Sequence, residues 1–374
     1  MPRRSLHAHA VAAVLLAAVT AAAVTVPGAH ADQPAARPRQ PPPPPPPPPR
    51  TLPPAIAARL PPAGFLIAHS TDKGQDDWFA ITRVDATGAT ELVRDRVVPD
   101  QMVWLDGHTL VTVTTDIDSD TTTVRRYVDG KADAAATVTV PPAIWKLPRG
   151  KAITDTRPPE LWLGKAGALW LARCHTLKPR GIDDVCTGTA WVRVDGGPKP
   201  AAKAPGARRA GPLLPSVLGG ASLPRSVKPP AGYAVVLRKV AVDGPDASDT
   251  VKGFACTGPD GAPTLWPHPG VIDWQFDVRP TKVTWLAATP PLFAVTGKAT
   301  NPIAIVSTAT RVFRACQPEA LDDVILLGAG RRVEMTRHWQ NDDYAGTSWT
   351  LYVDDVAIAT LDGGAGGFQV APAP

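Results

Sequence analysis

Three aspartates, Asp116, Asp118 and Asp120, stand at i, i+2 and i+4 in the stretch DIDSD. Calcium collects roughly six to eight oxygens at short range, and this is the spacing with which calcium loops begin. An EF-hand is excluded, because Thr121 occupies the place of its loop glycine and Tyr127 that of its closing glutamate. A looser calcium site on these three carboxylates is the metal expectation, set against the ordinary use of aspartate to cap hairpin turns. Acidic pairs recur at Asp76-Asp77, Asp183-Asp184 and Asp342-Asp343. The histidines beyond residue 31 are His69, His108, His175, His268 and His338, scattered and without an H-E-x-x-H pattern, and no G-x-S-x-G is present. No residue is therefore named as catalytic, and no cofactor other than calcium. The alternative function is an envelope hydrolase or lyase acting on a polysaccharide or peptide, with site residues spread over several loops; on a glycan it requires two carboxylates about 5–9 Å apart.

A second chemical feature is a stretch without acids. From Gly196 to Val242 there is no Asp or Glu, and the cations are Lys199, Lys203, Arg208, Arg209, Arg225, Lys228, Arg238 and Lys239. Its first part, GGPKPAAKAPGARRAGP, is low-complexity and reads as a disordered, solvated insert over about 196–231. The sharper reading makes Lys199, Lys203, Arg208 and Arg209 contacts for an anionic polymer. Tyr233 is the one aromatic residue of the stretch, so base stacking has no platform and a specific nucleic-acid partner is excluded.

These groups belong to an exported chain. Arg3 and Arg4, an apolar run from Ala10 to Val26, Pro27-Gly28 and the small-residue site Ala29-His30-Ala31 form a signal peptide over residues 1–31, with cleavage expected before Asp32. An uncleaved anchor is the alternative. Cleavage removes two cations and lowers the formal net charge from +5 to +3. No second membrane span follows, so a periplasmic or extracellular location is expected. Residues 32–62 are a proline-rich linker whose consecutive prolines, Pro41 to Pro49, force polyproline II. At ~3.1 Å per residue that run is a stiff spacer of roughly 28 Å. In an oxidising compartment four cysteines imply two disulfides, with three pairings open. Cys174 and Cys186 bracket the turn-like CHTLKPRGIDDVC between two strand-like runs, which predicts one bridge across a hairpin and, by elimination, Cys256 with Cys316. A zinc site on the four thiolates lacks any C-x-x-C spacing.

The elements that carry these residues are short strands. The chain of 374 residues holds 44 Pro and 31 Gly, one punctuating residue in five, which excludes a long-helix architecture. Hydrophobic content of 44% excludes a wholly disordered chain. Six segments combine an apolar start, a short turn and a period-two run: ARLPPAGFLIAHS, VWLDGHTLVTVTT, LWLGKAGALWLAR, VKPPAGYAVVLRK, FDVRPTKVTWLAA and ILLGAGRRVEMTR. A following strand ends in a second turn, marked by Asp85, Asp129, Asp195, Asp243, Thr296 and Asp354. Sheets that cannot bury both faces alone are served by radial stacking, so residues 63–374 are expected to form an all-β fold of six-bladed β-propeller type. Tandem β-sandwiches are the alternative architecture.

The second unit, VWLDGHTLVTVTTDIDSDTTTVRRYVDG, resembles a blade of the TolB-type β-propellers, with an Asp-Gly turn, a second strand and an aromatic-bearing third strand ending in Asp-Gly. That resemblance implies protein partners in an envelope complex, and with no catalytic motif the expected function is a non-enzymatic binding or protein-interaction module of the cell envelope or extracellular space. GFQVAP, Gly367 to Pro372, is a strand-length piece after the last unit and is expected to join the first sheet.

Overall fold

The computed structural model describes residues 52–71, 77–149, 157–180, 183–202, 206–218, 223–241, 250–266, 278–299, 308–317, 320–340, 343–363 and 367–373. The chain divides into two compact units, Met1–Pro47 and Pro48–Pro374. The expected signal peptide and the run of nine prolines lie outside the described residues.

The fold is all-β, built from antiparallel sheets that follow the chain in order, with one helical turn, α1 (Pro54–Ala57), before them. The first sheet contains β1 (Phe65–Thr71), β2 (Trp78–Asp85) and β3 (Gly88–Asp95), and the second contains β4 (Gln101–Trp104), β5 (Thr109–Asp116), β6 (Thr121–Val128) and β7 (Lys131–Val140). The third holds β8 (Glu160–Leu163), β9 (Leu169–Arg180), β10 (Asp183–Arg193), β11 (Lys199–Ala201) and β12 (Arg208–Arg209). Three strands make the fourth, β13 (Ala234–Ala241), β14 (Thr250–Thr257) and β15 (Pro263–Trp266). The fifth has β16 (Val278–Ala288), β17 (Pro291–Ala299), β18 (Thr308–Arg314) and β19 (Ala320–Leu321). The sixth has β20 (Asp323–Gly328), β21 (Arg331–Gln340), β22 (Asp343–Val353) and β23 (Val356–Gly363), and β24 (Phe368–Pro372) returns to pair with β1 in the first.

Turn chemistry explains why the strands break where they do. Asp106 Oδ1 accepts the backbone N–H of His108 at 2.7 Å and of Thr109 at 2.6 Å, closing the loop between β4 and β5. Between β6 and β7 only Asp129 and Gly130 intervene, at φ 50° and 76°, the two left-handed residues that a tight hairpin of the right twist requires. Asp85 ends β2 at its turn into β3, Asp354 at φ 54° opens the turn between β22 and β23, Asp195 follows β10, and Asp243 lies outside the described residues. Thr296 is a correction: it sits inside β17, paired with Lys282 and Thr310, because the fifth sheet has no Asp-Gly turn to mark.

Apolar faces meet between sheets. One cluster joins the second sheet to the third through Val111, Val124, Leu161, Leu171 and Val192. Others join the first to the second, the fourth to the fifth and the fifth to the sixth. A further cluster joins the sixth sheet to the first, so the two ends of the sheet order are packed together through Val333, Leu351, Phe65 and Val370. The same cluster takes in Leu52, Ile56 and Leu60, at i, i+4 and i+8. The last part of the proline-rich linker is therefore core, because its leucines bury apolar surface that a spacer would leave in water.

Open strand edges are the liability of such sheets, and here they are closed by side chains and by the acid-free segment. The edge of β1 is taken by β24, from Phe65 opposite Pro372 to His69 opposite Phe368. Gln369 on β24 reaches β4, where Oε1 accepts the Trp104 N–H at 3.3 Å and Nε2 donates to the Met102 carbonyl. Gln101 on β4 repeats the move, accepting the Leu161 N–H of β8 at 2.7 Å.

Candidate functional site

The acid-free segment departs from the expectation of one solvated loop. Its described residues between Arg208 and Val227 run along the first strands of three sheets, while its ends form β11 and β13. Ala210 N–H donates to the Leu161 carbonyl of β8 at 2.9 Å, and β12 pairs with β8. Val217 N–H then donates to the Val324 carbonyl of β20 at 2.7 Å, and Leu218 N–H to Asp323 Oδ1 at 3.1 Å. Finally the Trp285 N–H of β16 donates to Ser226 Oγ at 3.1 Å and Val227 N–H to the Trp285 carbonyl at 2.9 Å. Val217 is buried with Leu286, Leu292 and Val324, and Leu218 and Leu223 pack on the same cluster. The apolar residues of LLPSVLGGASL are the signal that composition alone had hidden.

The four proposed contacts do not form one cluster. Lys199 lies on β11 and Arg208 and Arg209 on β12, at opposite edges of the third sheet, four strand spacings or roughly 19 Å apart. Arg209 pairs with Glu160 at 3.1 Å, and Lys203 lies outside the described residues. Arg208, Arg225, Lys228, Arg238 and Lys239 are exposed. Arg238 and Lys239 stand on β13 beside Val236, which is 60% exposed, and Lys239 lies directly opposite Lys252 of β14. Like charges in that register repel, so an anion laid across them relieves a cost already present in the fold.

The aspartate loop is used differently from the calcium expectation. Asp116 Oδ1 accepts the N–H of Asp118 at 3.0 Å and Oδ2 the Ser119 hydroxyl at 2.9 Å, and these bonds hold its pKa below the usual carboxylate value. Asp120 Oδ1 lies 2.5 Å from Nη2 of Arg173, a buried side chain of β9. With one carboxylate turned into its own hairpin and another onto a guanidinium, the three do not converge, and among the described residues no group of three metal-ligating side chains forms. Asp76 and Asp342, and the side chains of Asp183, Asp184 and Asp343, lie outside the described residues.

His69 is buried, with Nδ1 2.8 Å from the Asp362 carbonyl and Nε2 3.0 Å from Thr82 Oγ1. Both ring nitrogens are satisfied by the neutral form, and burial pulls the pKa below its ordinary 6.5. A depressed histidine contributes stability that is complete above 6.5, the unfolded value, and is lost as pH falls toward the folded value. Within that window the expected slope is about 1.4 kcal/mol per pH unit. Denaturant titrations of the native chain and of H69Q from pH 7.5 to 4.5 check this: the native chain should lose more stability than the variant (about one proton more). Parallel curves would assign the acid sensitivity to other groups. Exposed His108 sits 2.8 Å from Asp129 Oδ1, His175 2.9 Å from Thr176 Oγ1, and His268 and the His338 side chain are outside the described residues.

The expected disulfides are both present, Cys174–Cys186 with 5.8 Å and Cys256–Cys316 with 5.1 Å between Cα atoms. The first spans the β9–β10 hairpin across a register shift at Gly188, and the second ties β14 to the turn after β18. Among the described residues no helix is long and apolar enough to cross a membrane. No protein-family model matches this chain, and no curated protein matches it.

Proposed function

We propose that this chain is an exported binding module of the cell envelope or extracellular space, built as a six-bladed β-propeller, whose acid-free segment engages an anionic partner. The architecture is favoured by six sheets in chain order, by β24 completing the first of them and by the apolar cluster between the sixth and the first. Tandem sandwiches give no reason for those contacts. The first strand of each sheet is then the one nearest the axis, and the described residues 206–218 and 223–230 lie along the axial edges of three blades.

The observation that carries the function is the anchoring of this segment. Its backbone is bonded to β8, β20 and β16 while Arg208, Arg225 and Lys228 remain exposed, so cations are displayed from a held chain and lose little freedom on binding. Phosphate-rich or carboxylate-rich envelope polymers are the partner class. On a polyanionic column the protein should be retained at low salt and released steeply as salt rises. Replacing Arg208, Arg225, Lys228, Arg238 and Lys239 by Ser should flatten the log-log salt dependence, by on the order of one unit for each contact removed. No retention of the native chain at low salt, or an unchanged slope in the five-fold variant, overturns the reading.

A further inference from the structure

We infer that the cleft between the second and third sheets binds a small amphipathic carboxylate, held by Arg126 over an aliphatic floor. This site is separate from the acid-free segment's cations and stands whether or not they bind a polymer. The cleft has a volume of about 480 Å³ and opens between the β6–β7 hairpin and the turn after β10. That lies within the range of small-ligand sites, roughly 300–1,000 Å³. Val111, Val124, Leu169 and Val194 form its floor, all buried members of the cluster that joins the two sheets.

Small residues hold the cleft open. Ala135 and Ala136 on β7 present only methyl groups, and the β6–β7 register shifts between Val124 and Arg126. On the other wall Gly196 and Gly197 adopt φ of 68° and 99°, and a Cβ on either meets no atom within 4 Å. The wall is thus bare backbone beside open space.

Arg126 is the cation of this lining. Its side chain is half-buried and forms no hydrogen bond or ion pair with any described residue, and its Nε is shielded from solvent without an acceptor. The nearby acids are engaged elsewhere. Asp133, opposite Arg126 in register, accepts the Ala135 N–H at 3.1 Å, and Asp195 accepts the Leu169 N–H at 2.7 Å and sits 3.6 Å from Arg193 Nε. A partly desolvated guanidinium without a partner costs the empty protein stability, and a carboxylate supplies the acceptors that its fork presents. The aliphatic floor asks for an apolar body on that carboxylate. Asp195 in the lining disfavours a second negative group, which separates this ligand class from a polyanion.

The test uses the full chain with 4-phenylbutyrate as probe and 4-phenylbutanol as its neutral isostere, titrated by ligand-observed NMR. The acid should bind about tenfold more tightly than the alcohol, the difference made by one charge-assisted pair. R126Q should erase that preference, and A136L should abolish binding of both by filling the cleft from its β7 wall. Without probe, R126L should raise Tm, because it removes the unpaired cation and adds apolar surface; a residue of purely structural value would lower Tm. Retention of R126Q on the polyanionic column should be unchanged, so failure here is distinct from failure of the polymer reading. Four results overturn the inference: no binding of the acid up to about 5 mM, equal binding of acid and alcohol, a preference that survives R126Q, or a lower Tm in R126L.

Discussion

Replacing Glu334 by Ala should destabilise the protein by about 3–5 kcal/mol, the cost of leaving buried charge without its partner. Glu334 on β21 is 4% exposed, and its Oε1 lies 2.5 Å from Nε of Arg332, itself 1% exposed. Its other oxygen accepts from Arg314, which comes across from β18 of the fifth sheet. Burial works against the Arg314 charge, and the carboxylate of Glu334 more than offsets it, so the Arg314 pKa rises. Both guanidiniums also lie over the Tyr352 ring, at 4.6 Å for Arg332 and 5.3 Å for Arg314. Removing the carboxylate that the two guanidiniums share leaves two cations facing each other in a low dielectric, and among the described residues only Arg332 keeps a second acid, Asp355 at 3.3 Å. E334Q keeps the volume and an acceptor and should fall between the native chain and E334A in denaturant melts. The triple change of Arg314, Arg332 and Glu334 to Met, Met and Leu should recover most of the loss, since such pairs add little net stability over an apolar core. A loss below about 1 kcal/mol in E334A would mean that water enters this junction.

Removing the Cys256–Cys316 bridge should cost more than removing Cys174–Cys186. The sequence separations are 60 and 12 residues, and chain entropy alone assigns about 4 kcal/mol to the longer closure and about 3 kcal/mol to the shorter. Topology widens that gap. Cys174 and Cys186 lie in a hairpin already held by its own ladder, whereas Cys256 and Cys316 link the fourth sheet to the fifth. Cys256 is 1% exposed within the aromatic cluster of Phe254, Trp266, Phe293 and Phe313, so its loss also loosens that packing. Denaturant midpoints of the two double Ala variants measure the order. An equal or larger loss in the Cys174/Cys186 variant would show that the hairpin is held by its bridge more than by its ladder.

What could be read from the sequence was local. VWLDGHTLVTVTT contains its own instructions: alternation that buries one face, and an Asp106-Gly107 turn capped by the Asp106 carboxylate. The hairpin bridge was legible for the same reason, two cysteines twelve residues apart on either side of a turn. GFQVAP had strand length and alternation, so its pairing with an unfilled first sheet followed from the need to cover an edge. The calcium spacing was also local, but spacing does not state what else a carboxylate touches, and Arg173, which occupies Asp120, arrives from another sheet.

Contacts between sheets were decided by the tertiary structure. Period-two alternation assigns a face to each residue and leaves open what that face meets. TTTVRRYV thus reads as solvent-facing charge, and only the apposition of the third sheet turns Arg126 toward an aliphatic cleft. Arg332 and Glu334 look like surface residues of an alternating strand until the fifth sheet covers them. The acid-free segment is the fullest case. Its composition determined the charge it carries, but its hydrogen bonds go to β8, β20 and β16, strands separated from one another by up to about 160 residues of chain. Unpaired backbone at those edges attracts any chain that can supply donors and acceptors, and which chain lies there depends on how the sheets are arranged in space.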